Sequence, residues 1–159
     1  MSEQELISAI REEAKRFEED WKFTARGHYE AANRWEKVNL WMGVSATVMA
    51  VTAASTVVGA PRVSVVLNAI TAVLTGLLTF LKPCDKASVH KKAGDEFLGL
   101  RKKSGTLYRV NLLSAMPCEE SRTQLLGLQD QASTLSTASP SIPRWAYKKA
   151  KEGIEAGES

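Results

Sequence analysis

Apolar and polar positions follow three different rhythms along this chain. Over residues 1–39, Ile7, Ile10, Ala14, Phe17, Trp21, Thr24, His28, Ala31, Trp35 and Val38 recur in alternating steps of three and four. That spacing predicts a long amphipathic helix with a heptad seam. Glu12, Glu13, Lys15, Arg16, Glu18, Glu19 and Asp20 decorate its outside, and Ser2 with Glu5 forms a capping box at its start. The rhythm then stops. Residues 40–60 and 63–81 contain no charged side chain, and only Pro61 and Arg62 separate the two runs. At ~1.5 Å per residue each run is roughly 30 Å long as a helix, about the thickness of a bilayer's hydrocarbon core. A core helix of a soluble protein would carry a charged outer face, and these runs carry none. The expectation is a transmembrane helical hairpin turning at Pro61 and Arg62, with the first helix entering its first span unbroken.

The amphipathic rhythm resumes after Lys82-Pro83, which is expected to kink or interrupt the chain. His90, Ala93, Phe97, Leu100, Ser104, Leu107, Asn111 and Ser114 form a second seam, in a helix that runs to about residue 115. Because the hairpin reverses direction, this helix must lie antiparallel to the first. The two seams close on each other or on neighbouring subunits, which makes Phe17, Trp21, His28, Trp35, His90, Phe97 and Leu100 a candidate oligomer seam. Met116-Pro117-Cys118 ends the helix, and Glu119 and Glu120 suit the first turn of another. Leu125, Leu126, Leu128 and Leu135 give that helix an apolar side. A Ser/Thr/Pro-rich connector is placed over 136–143. Pro143 then begins a short helix in which Trp145, Ala146, Ala150 and Ile154 are spaced for docking, while Lys148, Lys149 and Lys151 suit anionic headgroups. The whole is read as one all-α membrane domain over 1–159, with extramembrane helices over 1–39, 83–135 and 144–159.

Charge sets the orientation. Of 159 residues 25% are charged, almost all outside the hairpin, and the net charge is only +3. Arg26, Arg34 and Lys37 precede the first run, and Lys82, Lys86, Lys91 and Lys92 follow the second, whereas the turn offers Arg62 alone. The positive-inside rule then puts both termini in the cytoplasm, with Trp35 and Trp41 at the interface. The basic residues form no patch with interleaved aromatics, so nucleic acid is not an expected partner. No secretory leader is expected. Cys84 and Cys118 fall on the cytoplasmic side and are expected to stay reduced; Cys84 is juxtamembrane, either an inert thiol or an acylation site.

The chain offers no phosphate-cradling glycine loop, no Cys or His pair at metal spacing and no nucleophile–base pair, so the expectation is a non-enzyme without a cofactor. Its informative polar residues lie within the apolar runs. Asn68, Thr71, Thr75 and Thr79 share one face of the second span, extended by Ser64. Ser45, Thr52 and Thr56 share a face of the first. Such residues either let helices pack and hydrogen-bond, worth ~0.6 kcal/mol each, or line a water-filled path in an oligomer. His28 lies 12 residues before Leu40 and His90 nine after Leu81, so their heights differ by about one helical turn. They either meet as a buried structural pair or act as a proton-sensitive contact.

The motifs flanking the hairpin resemble the SLATT family of two-transmembrane effectors of bacterial conflict systems. The resemblance rests on Ala25, His28, Tyr29, Ala32, Arg34, Asn39 and Trp41 before the first span. After the second it rests on Phe80-Leu81-Lys82-Pro83, Ala87, His90, Ala93-Gly94, Phe97 and Leu100, and near the end on Pro140, Ile142, Pro143, Ala146, Tyr147 and Ala150. It covers most of the chain from about residue 20. It implies a homo-oligomeric effector that permeabilises the inner membrane when an infection signal arrives. That signal is a second-messenger nucleotide or is relayed by a sensor protein encoded nearby. No fused sensor or synthase is expected within these 159 residues, and the family's motifs supply no catalytic residue. The alternative is a membrane-anchored scaffold whose helices recruit a cytosolic partner without forming a pore.

Overall fold

The computed structural model describes residues 3–112 and 117–157, which are helical apart from short turns, with no strand among them. Helix α1 spans Glu3–Thr56 as a single element of 54 residues. No proline lies within it, and Gly27 is accommodated in its interior, so the amphipathic stretch and the first apolar run share one helix as expected. The capping residue Ser2 lies outside the described residues.

The turn of the hairpin falls earlier than the sequence reading placed it. Helix α1 stops at Thr56, residues 57–60 make the connection, and Pro61 and Arg62 already belong to helix α2, Pro61–Leu81. The reason is the proline itself. At the first position of a helix its ring pre-sets φ, and its missing N–H is one that no helical partner would have used. The Ala60 N–H donates to the Thr56 carbonyl at 2.9 Å, closing the end of α1. At the far end of α2, Lys82 adopts the left-handed conformation (φ 45°, ψ 56°) and its N–H donates to the Leu78 carbonyl. Left-handed backbone is unfavourable for a residue with a Cβ. Pro83 immediately starts helix α3, Pro83–Thr106, so Lys82 is a one-residue joint rather than a kink in a continuous helix.

A π-helical segment, Leu107–Asn111, follows α3, and no feature of the sequence pattern announces it. The expected end of this helix near residue 115, with seam position Ser114, lies outside the described residues. Helix α4 covers Cys118–Ala138 and helix α5 Arg144–Glu155. The connector is therefore 139–143, shorter than expected. The preceding segment holds no proline, and the Thr137 hydroxyl donates to the Thr134 carbonyl within the helix. Pro143 caps α5 rather than opening it. On α4, Leu126 is exposed, while Leu128, Ser121 and Ala132 are buried.

The chain divides into two units. The first combines residues 1–31 with 89–159. Its core is Ala14, Trp21, Ala25, Phe97, Leu100, Leu107, Leu128 and Ala132, with Phe17, Tyr29, Leu98, Tyr108, Leu125 and Leu135 packed against it. The Phe17 and Trp21 rings stack at 5.1 Å. Burying a large apolar side chain of this kind contributes about 1.5–3 kcal/mol. The contacts descend α1 as they climb α3, so the two helices are antiparallel as expected: Tyr29 bonds Asp95, and Ser104 donates to the Ala14 carbonyl at 2.6 Å. This pairing changes the role of the candidate oligomer seam. Trp21, His28, His90, Phe97 and Leu100 are between 2% and 6% exposed, so one chain closes its two seams on itself. Phe17 belongs to the same packing. Within one chain these six side chains lie in the seam between α1 and α3, with Phe17 half-buried.

The second unit, residues 32–88, holds the hairpin. Trp35 belongs here, half-buried, with the Lys86 ammonium 4.5 Å from its ring centroid in a cation–π contact.

Candidate functional site

Two places bring polar chemistry into apolar surroundings, one in each unit. In the hairpin, both helices are long and apolar enough to cross a membrane, and only 11% and 6% of their most apolar windows is buried. Ala46, Ala53 and Ser64 are buried, and the Ser64 hydroxyl donates to the Ala53 carbonyl at 2.9 Å, tying α2 to α1 near the turn. Val44, Val48 and Val51 on α1 and Val65, Val66, Ile70, Val73 and Leu77 on α2 are exposed.

The polar stripe of α2 splits. Thr71 is half-buried, whereas Asn68, Thr75 and Thr79 are exposed. Each threonine hydroxyl donates to the carbonyl four residues earlier: Thr71 to Leu67, Thr75 to Thr71 and Thr79 to Thr75, at 2.9–3.0 Å. On α1, Thr52 and Thr56 bond Val48 and Thr52 in the same way. The donor hydrogens of these hydroxyls are therefore satisfied within their own helix. Asn68 differs. Its amide NH2 reaches the Ser64 hydroxyl only at 3.5 Å, the outer limit of a hydrogen bond. An amide has two donor hydrogens and an acceptor oxygen, so most of its capacity stays open on an apolar helix.

In the other unit, His28 and His90 meet. Their Nδ1 atoms are 3.0 Å apart, the rings are 2% and 6% exposed, and Phe97 stacks on His28 at 5.7 Å. Burial, and then the neighbouring charge of His90, push the His28 pKa down to about 4; burial lowers His90 as well. Both rings are thus neutral near pH 7. One Nδ1 carries a hydrogen and donates, and the other accepts through its lone pair. The Nδ1–H of one ring obliges the other to keep its hydrogen on Nε2.

Next to this pair, Gly94 lets α3 approach α1. A Cβ there would lie 3.0–3.2 Å from three carbons of the Tyr29 ring. The Tyr29 hydroxyl donates to Asp95 Oδ1 at 2.6 Å, and burial, then that bond, raise its pKa to about 12. Gly27 serves the same purpose toward Ile142 in the connector, where a Cβ would meet a methyl at 3.1 Å. Of the four residues expected to dock α5, Ala146 and Ala150 are fully buried and Ile154 is half-buried, whereas Trp145 is exposed. Glu30 Oε2 lies 2.6 Å from Lys149 Nζ, an ion contact without an aligned hydrogen bond.

The sequence reading missed one polar cluster. Glu18 accepts from the Tyr108 hydroxyl at 2.6 Å and from Arg109 at 2.8 and 2.9 Å, fastening the π-helical segment to α1. Glu18 directly follows the seam residue Phe17, which was the only signal available. Beside that segment, an open groove of about 500 Å3 is lined by Lys102, Lys103, Asn111, Gln124 and Gln131 among others.

No family model, no characterised protein and no solved structure matches this chain.

Proposed function

We propose that this protein is a pore-forming membrane effector that acts as a homo-oligomer. Helices α1 and α2 cross the bacterial inner membrane, and both termini lie in the cytoplasm. In keeping with the SLATT resemblance, it permeabilises that membrane in an anti-phage or other conflict response. A second-messenger nucleotide or a sensor protein supplies the trigger, and no enzymatic step is assigned to the chain. The observation that carries the reading is the bare hairpin. Two apolar helices are left almost uncovered by the rest of the chain, and one face bears an asparagine amide with open hydrogen-bonding capacity. Hydrocarbon covers valine and leucine well but leaves an amide unsatisfied. Water in a pore, or another copy's α2, satisfies it.

The second reading, a membrane-anchored scaffold without a pore, has its own supporting observation. The stripe threonines donate their hydroxyl hydrogens to their own backbone. Leakage by the unaltered protein separates the two, and changing Asn68 to Leu tests which face lines the path. In liposomes holding matched amounts of assembled protein, the pore reading expects leakage to fall, because a more hydrophobic constriction dewets. Full leakage from a well-assembled Asn68→Leu variant would remove Asn68 from the conduction path.

A further inference from the structure

The His28–His90 contact has a property that follows from its geometry alone. Two Nδ1 atoms 3.0 Å apart hold one hydrogen between them. The first added proton goes to the free Nε2 of the donor ring and leaves the N–H···N bond intact, at the cost of a charge in a buried site. A second proton must sit on the accepting Nδ1. Two N–H groups would then point at each other between two cations, and the contact cannot persist.

We propose that the His28–His90 pair is a proton-operated latch: it closes the seam between α1 and α3 while both rings are neutral and releases it when the rings become charged. Among the described residues, no carboxylate is bonded to either ring. Next to His28 along α1 stand Tyr29 and Glu30, whose partners are Asp95 of α3 and Lys149 of α5. On the outer face of α3, Lys91 is exposed and Lys92 pairs with Glu96. Burial and the neighbouring charge of His90 both disfavour a charge on His28. The ring on the other side is Phe97, an apolar wall. A metal ion is a poor alternative occupant, because among the described residues no group of three ligand-type side chains comes together. The proposal does not depend on the pore reading, since it concerns the bundle unit alone.

The direction follows from linkage. With the closed-state pKa of His28 near 4 and an ordinary value of 6.5 once exposed, the open state binds more protons between those values. Stability of the closed seam is full above about pH 6.5 and is lost as pH falls toward 4. At about pH 5 a single proton of this kind raises the open population roughly 30-fold over neutral pH.

The test is hydrogen–deuterium exchange on the full-length protein in detergent micelles, corrected for the intrinsic pH dependence of exchange. Amides of residues 24–32 and 89–97 are expected to open by that factor between about pH 7.5 and about pH 5. A double variant, His28→Asn with His90→Asn, keeps an amide at each Nδ1 position but cannot titrate, and its exchange is expected to show no such step. A flat profile in the wild type, or the same step in the double variant, overturns the proposal. Nitrogen NMR of the wild-type histidines decides the matter even if the double variant misfolds. One Nδ1–H and one Nε2–H tautomer at neutral pH, with both rings charging as the seam opens, support the latch. Rings that charge while the seam stays protected overturn it.

Discussion

Replacing Gly94 by Ala sets a local gain against a packing loss, and the structure decides which is larger. In an isolated helix the change is favourable by about 1 kcal/mol, because alanine loses less backbone entropy than glycine. Here the new methyl would sit 3.0, 3.1 and 3.2 Å from three carbons of the Tyr29 ring. The ring has little freedom to retreat. One end is fixed to α1 by its own backbone, and the hydroxyl is held by Asp95 at 2.6 Å. Either α3 shifts outward or the Tyr29–Asp95 bond breaks. Overpacking of this sort costs about 1–3 kcal/mol. The net expectation is a loss of up to about 2 kcal/mol, or a fall of up to about 8 °C in Tm for a chain of this length. Thermal unfolding followed by circular dichroism in micelles measures it. The control is the same substitution in a Tyr29→Ala background. There the ring is gone, only the helical gain remains, and Gly94→Ala should stabilise by up to about 1 kcal/mol. If Gly94→Ala raises Tm with Tyr29 in place, the close approach of α1 and α3 is wrong.

Two further outcomes are expected. Ser104→Ala removes a fully buried hydroxyl that donates to the Ala14 carbonyl, and should cost about 0.5–1.5 kcal/mol in the same unfolding assay; no loss would mean the two helices do not meet at that level. With Cys84 and Cys118 changed to serine, a single cysteine at position 61 should react with a membrane-impermeant thiol reagent in intact cells, and one near either terminus should not; labelling of a terminus would reverse the orientation.

The helices of this protein were legible wherever periodicity was strong. The seam from Ile10 to Ala31 and its counterpart from His90 to Leu107 follow directly from steps of three and four. The antiparallel pairing follows from the chain reversal between them. Three features escaped for physical reasons. The hairpin turn was placed at Pro61 because proline was read as a breaker, yet at a helix's first position it is an initiator. Helix α4 runs on to Ala138 because serine and threonine back-bond within a helix as readily as they form loops. The π-helical segment carries Tyr108 and Arg109, which Glu18 holds across 90 and 91 positions, a contact that no local pattern encodes. For the candidate sites, the sequence placed the two histidines on facing seams correctly. It could not say that their Nδ1 atoms meet, nor that Asn68 and not its threonine neighbours is left with open capacity.

Conduction by the assembled hairpin is tested most directly by ion flux. Purified protein reconstituted into liposomes, and shown by cross-linking to be assembled, should release a trapped ion or small dye, with the rate rising more steeply than in proportion to protein density. Intact vesicles at densities where the oligomer is present, and with the cognate signal supplied, would contradict the pore and leave the hairpin as an anchor.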